Sequence, residues 1–151
     1  MTGLEEVEWA LTLWRPWTAL VVVGPKNIEN RPWAPPKWII GKRIAIHAGL
    51  TFDDAGRATA QVILRETGFD PFDGALWQLA QVKGSIVGTA VVSDWASRDT
   101  PLRCAEEILL SPWFFGPFGW LLTDRKPLPA PVPCRGAQKL WRLPAELRRA
   151  A

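Results

Sequence analysis

A ten-residue run from Ser85 to Asp94 constrains the fold more than any other part of the sequence. Its side chains are small or apolar at almost every position, so it predicts a strand with little polar surface on either face. Glycines at positions 84 and 88 would let this strand bend, as the strands of a small closed barrel must. The run therefore predicts a long strand in a sheet that is covered on one side and curled on the other.

Shorter segments around this run predict the remaining elements. Further strands are predicted over residues 8–13, 27–31, 44–47, 118–125 and 135–141. Helices are predicted over residues 16–23, 53–66 and 103–110. A chain of 151 residues is long enough for one domain with a sizeable core, so we expect a single domain over residues 1–151. The fold class expected from this mixture is α+β.

Two proline-rich segments interrupt the pattern, at residues 32–38 and 127–133. Proline fixes the backbone and removes a hydrogen-bond donor, so both segments are predicted to be loops. The first would display Trp33 and Trp38. These rings can either pack down over the core or form a platform on which a ligand stacks.

The segment from Gly24 to Arg31 carries a cluster of charges at short spacing. In a strand over residues 27–31, Glu29 and Arg31 share one face while Ile28 points into the core, and Lys26 lies at the turn where that face begins. One acceptor beside two cationic donors suits a ligand with both phosphate and polar ring edges. The spacing leaves an alternative open, in which Glu29 forms only a surface ion pair with a neighbouring basic side chain.

Composition limits the function only weakly. The net charge of +3 permits a polyanionic partner without requiring one. Ten tryptophans and no tyrosine supply large apolar surfaces, most of them expected in the core. No apolar run is long enough to cross a membrane and the acidic start of the chain does not resemble a signal peptide, so a cytoplasmic protein without a membrane partner is expected.

Metal-ligating residues are few. Cys104 and Cys134 stand 30 residues apart, and His47 is the only histidine of the chain. This set is too small for a zinc site, and we expect neither a metal nor a cofactor. Both cysteines are expected to be buried free thiols, and a disulfide between them is left open.

The order of motifs resembles the ASCH family, which is named after a domain of a transcription coactivator. This family belongs to the PUA-like superfamily, beside the PUA, EVE and YTH domains. The resemblance covers nearly the whole chain and is carried by these segments: strand 8–13 and the helix after it, Gly24-x-Lys26-x-x-Glu29-x-Arg31, Ala45-Ile46-His47, Val87-Gly88, Ser111-Pro112-Trp113, Phe118-Gly119-Trp120-Leu121, Arg135-Gly136-Ala137-Gln138 and Trp141. It also favours the helix at 16–23, although the three valines there prefer strands.

The resemblance implies a fold and a ligand class. The fold would be a small β-barrel flanked by helices, with the signature strand and the loops beside it lining a cleft. The ligand would be RNA or another nucleic acid, with Lys26, Glu29 and Arg31 as the signature residues. His47, Trp113 and Trp120 would lie near the same cleft.

Nucleic-acid binding is the leading hypothesis, for a single-stranded or splayed-out segment. A basic rim of Lys26, Arg31, Lys42 and Arg43 would contact phosphate. Exposed rings would stack on bases, with Trp33, Trp38 and Trp113 as the candidates. A protein-interaction domain is a less specific alternative, because exposed tryptophans also anchor protein interfaces. The oligomeric state is not predicted.

Hydrolysis of RNA or of a modified nucleoside is the catalytic alternative. Amidohydrolases that resemble this family and act on N4-acylcytidine have a threonine nucleophile where this chain has Glu29. A carboxylate does not replace that hydroxyl in acyl transfer, because it would form an anhydride. A ribonuclease needs only a lysine to stabilise charge and a nearby acid or base, and Lys26, Glu29 and His47 are the candidates.

Overall fold

The computed structural model describes residues 1–70, 74–99 and 105–149. Within them the strands are β1 (Trp9–Arg15), β2 (Ile28–Arg31), β3 (Arg43–Phe52), β4 (Ser85–Ser97), β5 (Phe118–Pro133) and β6 (Trp141–Arg142). The helices are α1 (Trp17–Val22), α2 (Asp54–Glu66), α3 (Gly74–Ala80) and α4 (Glu106–Leu109). Short 3-10 helices cover Lys37–Ile39 and Ala145–Leu147. Cys104 and the start of the helix predicted at 103–110 lie outside the described residues.

The strands of the described residues form one mixed sheet in the order β2-β5-β4-β3-β1-β6. β1 and β3 run parallel, and the other pairs are antiparallel. The predicted α+β class is therefore confirmed. No ladder joins the outer strands β2 and β6 in the described part of the chain, so the sheet is curled but open, not the closed barrel that was predicted.

Glycine lets a helix lie directly on the curled sheet. A Cβ atom on Gly88 of β4 would be 2.4 Å from Cγ1 of Val22 and 2.5 Å from the carbonyl oxygen of Lys126. The pairing of β4 with β5 also shifts register near this residue. The missing side chain thus allows α1 and β5 to approach β4, as the curled strand predicted at 85–94 requires.

Apolar side chains fill both sides of the sheet. One core lies under α1 and includes Leu11, Val21, Ile46 and Trp120. A second core lies among the helices, with Leu20, Leu64, Leu76 and Trp113 among its members. A smaller third core includes Leu4 and Trp141. Because β3 and β4 are covered on both faces, their sequences are nearly continuous apolar runs rather than alternating ones.

Two predicted boundaries are wrong, for different reasons. The segment at 127–133 is not a loop but the second half of β5. Pro129 and Pro131 fall at the register shift between Pro127 and Val132, where β5 bulges away from its pairing with β4, and a strand tolerates proline at such a bulge. The strand predicted over 135–141 is reduced to the two residues of β6, which pair with Trp9 and Ala10. None of the described helices is long and apolar enough to cross a membrane.

Candidate functional site

The cleft lies where the curled sheet fails to close. Beyond Ala10, β1 has no strand partner on the side opposite β3 among the described residues, and β2 pairs only with β5. Nη2 of Arg31 donates to the carbonyl oxygen of Thr12 over 3.2 Å and so links β2 to β1. Beside this link is a cleft of about 360 Å³, which we call the seam cleft. It is lined by Thr12, Leu13, Trp14, Trp17, Lys26, Glu29, Asn30, Arg31, Asp53 and Phe115.

Three charged side chains form one wall of the seam cleft. Nζ of Lys26 lies 3.4 Å from Oε1 of Glu29, and Nε of Arg31 lies 2.9 Å from Oε2 of the same carboxylate. Lys26 and Glu29 are buried, whereas Arg31 is partly exposed. The structure thus brings together all three signature residues, on the face that the strand period predicted. The carboxylate lies between two cations, and it is not an isolated surface ion pair.

The backbone around Lys26 is fixed by a close packing contact and by an arginine. A Cβ on Gly24 would lie 2.8 Å from the carbonyl oxygen of Leu20, so glycine allows the chain to turn tightly after α1. Nη1 of Arg125 donates to the carbonyl oxygens of Val21, Gly24 and Lys26 at 2.7–2.9 Å. This arginine satisfies carbonyls at the end of α1 that have no partner within the helix. Lys26 is held in the cleft wall as a result.

Burial changes the chemistry of Lys26. Loss of solvent lowers the pKa of its ammonium group, and the neighbouring Glu29 carboxylate opposes that effect. Nζ also donates to the carbonyl oxygen of Ile28 and lies 5.5 Å from the centre of the Trp17 ring. Lys26 therefore has internal partners and is held in one position, unlike a mobile surface lysine.

Aromatic rings form the other wall. Trp14 is 58% exposed and Phe115 is 44% exposed. Trp17 packs edge-to-face against Phe115, with ring centres 6.0 Å apart, and its Nε1 donates to Oδ2 of Asp53 over 3.0 Å. Oδ1 of Asp53 caps α2 by accepting from the amide of Gly56 at 2.8 Å. One carboxylate thus fixes both the helix start and the indole ring.

Asn30 holds the loop that carries Phe115. Its Nδ2 donates to the carbonyl oxygen of Trp113 over 3.0 Å, and its Oδ1 accepts from the amides of Phe115 (2.7 Å) and Gly116 (3.0 Å). The loop contains glycine and proline and cannot form a regular ladder of its own. Asn30 therefore connects the charged strand β2 to the aromatic wall.

His47 lies in a different cavity. This second cavity measures about 400 Å³, and His47 lines it together with the segment from Cys134 to Gln138. Nε2 of His47 lies 2.7 Å from the carbonyl oxygen of Cys134 and must carry the proton, because a carbonyl only accepts. Nδ1 lies 3.2 Å from Oγ1 of Thr12, which also accepts from Nε1 of Trp141. Burial lowers the pKa of the imidazole, so the ring is neutral with Nδ1 as acceptor.

The remaining sequence-predicted residues lie away from the seam cleft. Trp113 and Trp120 are buried in the core, where they present no ring face to a ligand. Trp113 was predicted to be an exposed ring for stacking and Trp120 to lie near the cleft, but these apolar rings gain more by packing inside. Arg43 donates to Thr89 and to Asp124, with which it forms an ion pair. Trp33, Trp38 and Lys42 belong to another surface, described below.

The aromatic wall was missed by sequence reasoning. Trp14 and Trp17 flank Arg15-Pro16 at the end of β1. In the sequence, Pro16 was interpreted only as the first turn of a helix. Two tryptophans so close to a chain bend were the available signal. The sequence held no such signal for Asn30 and Asp53, since asparagine and aspartate are common at turns simply because their side chains hydrogen-bond to the nearby backbone.

These features define an α+β domain with a mixed, curled sheet and a polar, aromatic-walled cleft at its open seam. Its fold is similar to that of solved ASCH structures, as the sequence resemblance implied. A solved ASCH structure from Zymomonas mobilis matches with a TM-score of 0.50 and 18% identity, over 91% of this chain and 88% of that chain. A serine-to-alanine variant of that protein matches with a TM-score of 0.51 and 17% identity, over 97% of this chain and 93% of that chain. A tyrosine-to-phenylalanine variant gives 0.50 and 18%, over 91% of each chain.

The likeness to these structures concerns the fold. No protein-family model matches the sequence. No curated protein matches it either. The residues of the seam cleft are therefore what indicates a function.

Proposed function

We propose that this protein is a nucleic-acid binding domain that takes one unpaired nucleoside of RNA or another single strand into the seam cleft. The observation that supports this proposal is the meeting of Lys26, Glu29 and Arg31 with the rings of Trp14, Trp17 and Phe115 around one cleft. Aromatic faces stack on any base, while a carboxylate and a guanidinium hydrogen-bond to its polar edge.

The dimensions of the cleft favour a single nucleoside. Its volume of about 360 Å³ is near the lower end of the range for ligand pockets, about 300–1,000 Å³. A duplex could not enter, whereas an unstacked base from a loop or strand end could. Unpaired bases of this kind are the usual targets of sequence-dependent RNA recognition.

Electrostatics predict only moderate dependence on salt. Lys26 is neutralised internally, and Arg31 is the cleft cation with solvent exposure. A ligand phosphate at the cleft would therefore release few counterions, and the logarithm of the affinity would fall slowly with the logarithm of the salt concentration. Most of the binding free energy would come from stacking, at about 1–3 kcal/mol per base.

The test is a tryptophan fluorescence titration with the four ribonucleosides and their 5′-monophosphates. Trp14→Ala should weaken binding by roughly tenfold, because it removes the most exposed ring of the cleft. Trp77→Ala is the matched control, since Trp77 is also a partly exposed tryptophan but lies outside the cleft. Equal loss in both variants, or no quenching of the unmodified protein at low salt, would overturn the proposal.

A hydrolase that acts on RNA or on a modified nucleoside at the same cleft is the second candidate. The observation that favours it is a fully buried lysine with a lowered pKa beside a carboxylate. Lys26 would stabilise developing negative charge and Glu29 would accept a proton from water. His47 has no part in this version, because both its ring nitrogens have partners elsewhere. Glu29→Gln should then abolish turnover of RNA or acylated nucleosides, and an absence of turnover in the unmodified protein would end the proposal.

A further inference from the structure

A second aromatic surface is lined by residues that lie close in sequence to those of the seam cleft, before Thr12 on β1 and after Arg31 at the end of β2. It is a depression of about 340 Å³ lined by Trp9, Trp33, Ala34, Pro36, Trp38, Lys139 and Leu140. We call it the tryptophan platform. Trp9 precedes the cleft residue Thr12 by three positions on β1, and Trp33 follows the cleft residue Arg31 by two positions. At about 3.3 Å per residue, Trp9 lies about 10 Å from Thr12 along β1.

The rings of the platform are held in place by one another. Trp9 and Trp38 pack with ring centres 4.8 Å apart, and Trp33 packs edge-to-face on Trp120 at 5.3 Å. The carbonyl oxygen of Trp33 also accepts from Nε1 of Trp120 over 3.1 Å. Trp38 nevertheless remains 47% exposed. A large ring that is rigid and half in solvent is suited to stacking, because little conformational entropy is lost when a ligand arrives.

The charge of the platform is positive and unneutralised. Nζ of Lys42 lies 5.7 Å from the centre of the Trp38 ring, and Lys139 lines the depression. Neither lysine forms an ion pair in the part of the chain that the structure describes. Arg43, by contrast, is paired with Asp124. Free cations beside an exposed ring are complementary to a chain that alternates phosphates with aromatic bases.

From this arrangement we infer that the tryptophan platform is a second subsite for the same single strand. It stacks a base on Trp38 and holds the adjoining phosphate with Lys42 and Lys139. This inference rests on the proposed function, since it takes one strand to occupy the seam cleft and the platform together. Stacked nucleotides are about 3.4 Å apart, so the platform base lies two or three nucleotides from the cleft base when stacked, and nearer when the strand is extended. A tetranucleotide is therefore long enough to reach both sites, whereas a mononucleotide reaches one.

The experiment compares ligand lengths in two variants. The four ribonucleoside monophosphates and the four homotetranucleotides are titrated against the full chain, Trp14→Ala and Trp38→Ala. Trp38→Ala should weaken tetranucleotide binding by roughly tenfold and leave mononucleotide binding unchanged, while Trp38→Phe should retain most of the affinity. Lys42→Ala and Lys139→Ala should each lower the number of counterions released on tetranucleotide binding by about one, as measured from the slope of log affinity against log salt concentration. The charge control is Lys83→Ala, an exposed lysine that lines neither site.

The outcomes separate the two proposals. Tetranucleotide binding that is unaffected by Trp38→Ala overturns the platform, even if Trp14→Ala shows that the cleft binds a nucleoside. Tetranucleotide binding that depends on Trp38 but not on Trp14 overturns the cleft, and with it the claim that the platform is a second subsite for the same strand. If the unmodified protein binds no ligand of either length, both proposals fail. Thermal melting of each variant identifies any loss of binding that is due to unfolding.

Discussion

The ammonium group of Lys26 lies 3.4 Å from Oε1 of Glu29, in a pair where both residues are buried. Arg31 contacts the second oxygen of the same carboxylate at 2.9 Å. Buried ion pairs contribute little net stability, but removal of one partner leaves a charge without compensation. The three residues should therefore respond to substitution as a coupled group.

Lys26→Met tests this coupling. The substitution should lower the free energy of unfolding by about 3 kcal/mol, at the lower end of the usual range because Arg31 still faces Glu29. The double variant Lys26→Met with Glu29→Leu should recover part of that loss, since the charge that remains is that of Arg31, which is partly exposed and still donates to the carbonyl oxygen of Thr12. Urea denaturation measures both, with the exposed Lys37→Met as control. Simple additivity of the two single substitutions would contradict the coupling.

Asn30→Ala should loosen the aromatic wall. It removes three hydrogen bonds to the loop at 113–116 and leaves two amides and one carbonyl without their partner. We expect a loss of about 2–3 kcal/mol in the free energy of unfolding. We also expect greater quenching of tryptophan fluorescence by acrylamide, because the edge of Trp17 loses its contact with Phe115.

Asn27→Ala is the matched control for this loop. Asn27 is also partly buried, but its side chain accepts a single hydrogen bond, from Oγ of Ser111 at 3.0 Å. The expected loss is about 1 kcal/mol, without a change in quenching. A smaller effect for Asn30→Ala than for Asn27→Ala would show that Asn30 does not hold the loop.

Local periodicity was sufficient to predict the charged wall of the cleft. Glu29 and Arg31 are two positions apart in a strand, so a common face follows from backbone geometry alone, and Ile28 is fully buried as predicted. The aromatic wall could not be predicted in this way. It is assembled from β1, α1 and the loop at 113–116, and the meeting of such distant segments depends on tertiary packing.

The open seam could not be predicted from the sequence either. Whether a curled sheet closes depends on how β1 and β2 end relative to each other. Between these two strands, a hydrogen bond from the Arg31 side chain to the carbonyl oxygen of Thr12 replaces a backbone ladder. The burial of Trp113, which was predicted to be exposed, has a similar cause. Trp113 and Trp38 both stand near prolines, yet one is buried and the other is half exposed, because only the first lies under the helices.

Acid should destabilise the protein in part through His47. Burial lowers the pKa of His47 in the folded chain below its ordinary value of 6.5, so the unfolded chain binds a proton first as the pH falls. The stability from the neutral ring is fully present above about pH 6.5 and decreases as the pH falls through the lower, folded-state value. His47→Gln cannot titrate and should show a smaller fall in unfolding free energy between pH 7.5 and pH 5.5. Parallel pH profiles for both proteins would contradict this role.

Gly136→Ala should disturb the same interior. A Cβ at Gly136 would lie 2.5 Å from Cε1 of His47 and 2.7 Å from Oγ1 of Thr12, and both of those atoms belong to groups fixed by hydrogen bonds. Overpacking of this kind lowers the free energy of unfolding by about 1–3 kcal/mol. Gly74→Ala is the matched control, because no atom of the described residues lies within 4 Å of its added Cβ and its place in α3 favours alanine. Denaturant midpoints should therefore move in opposite directions, down for Gly136→Ala and unchanged or up for Gly74→Ala. An unchanged midpoint for Gly136→Ala would mean that the segment after β5 can move away from His47 and does not fix its ring.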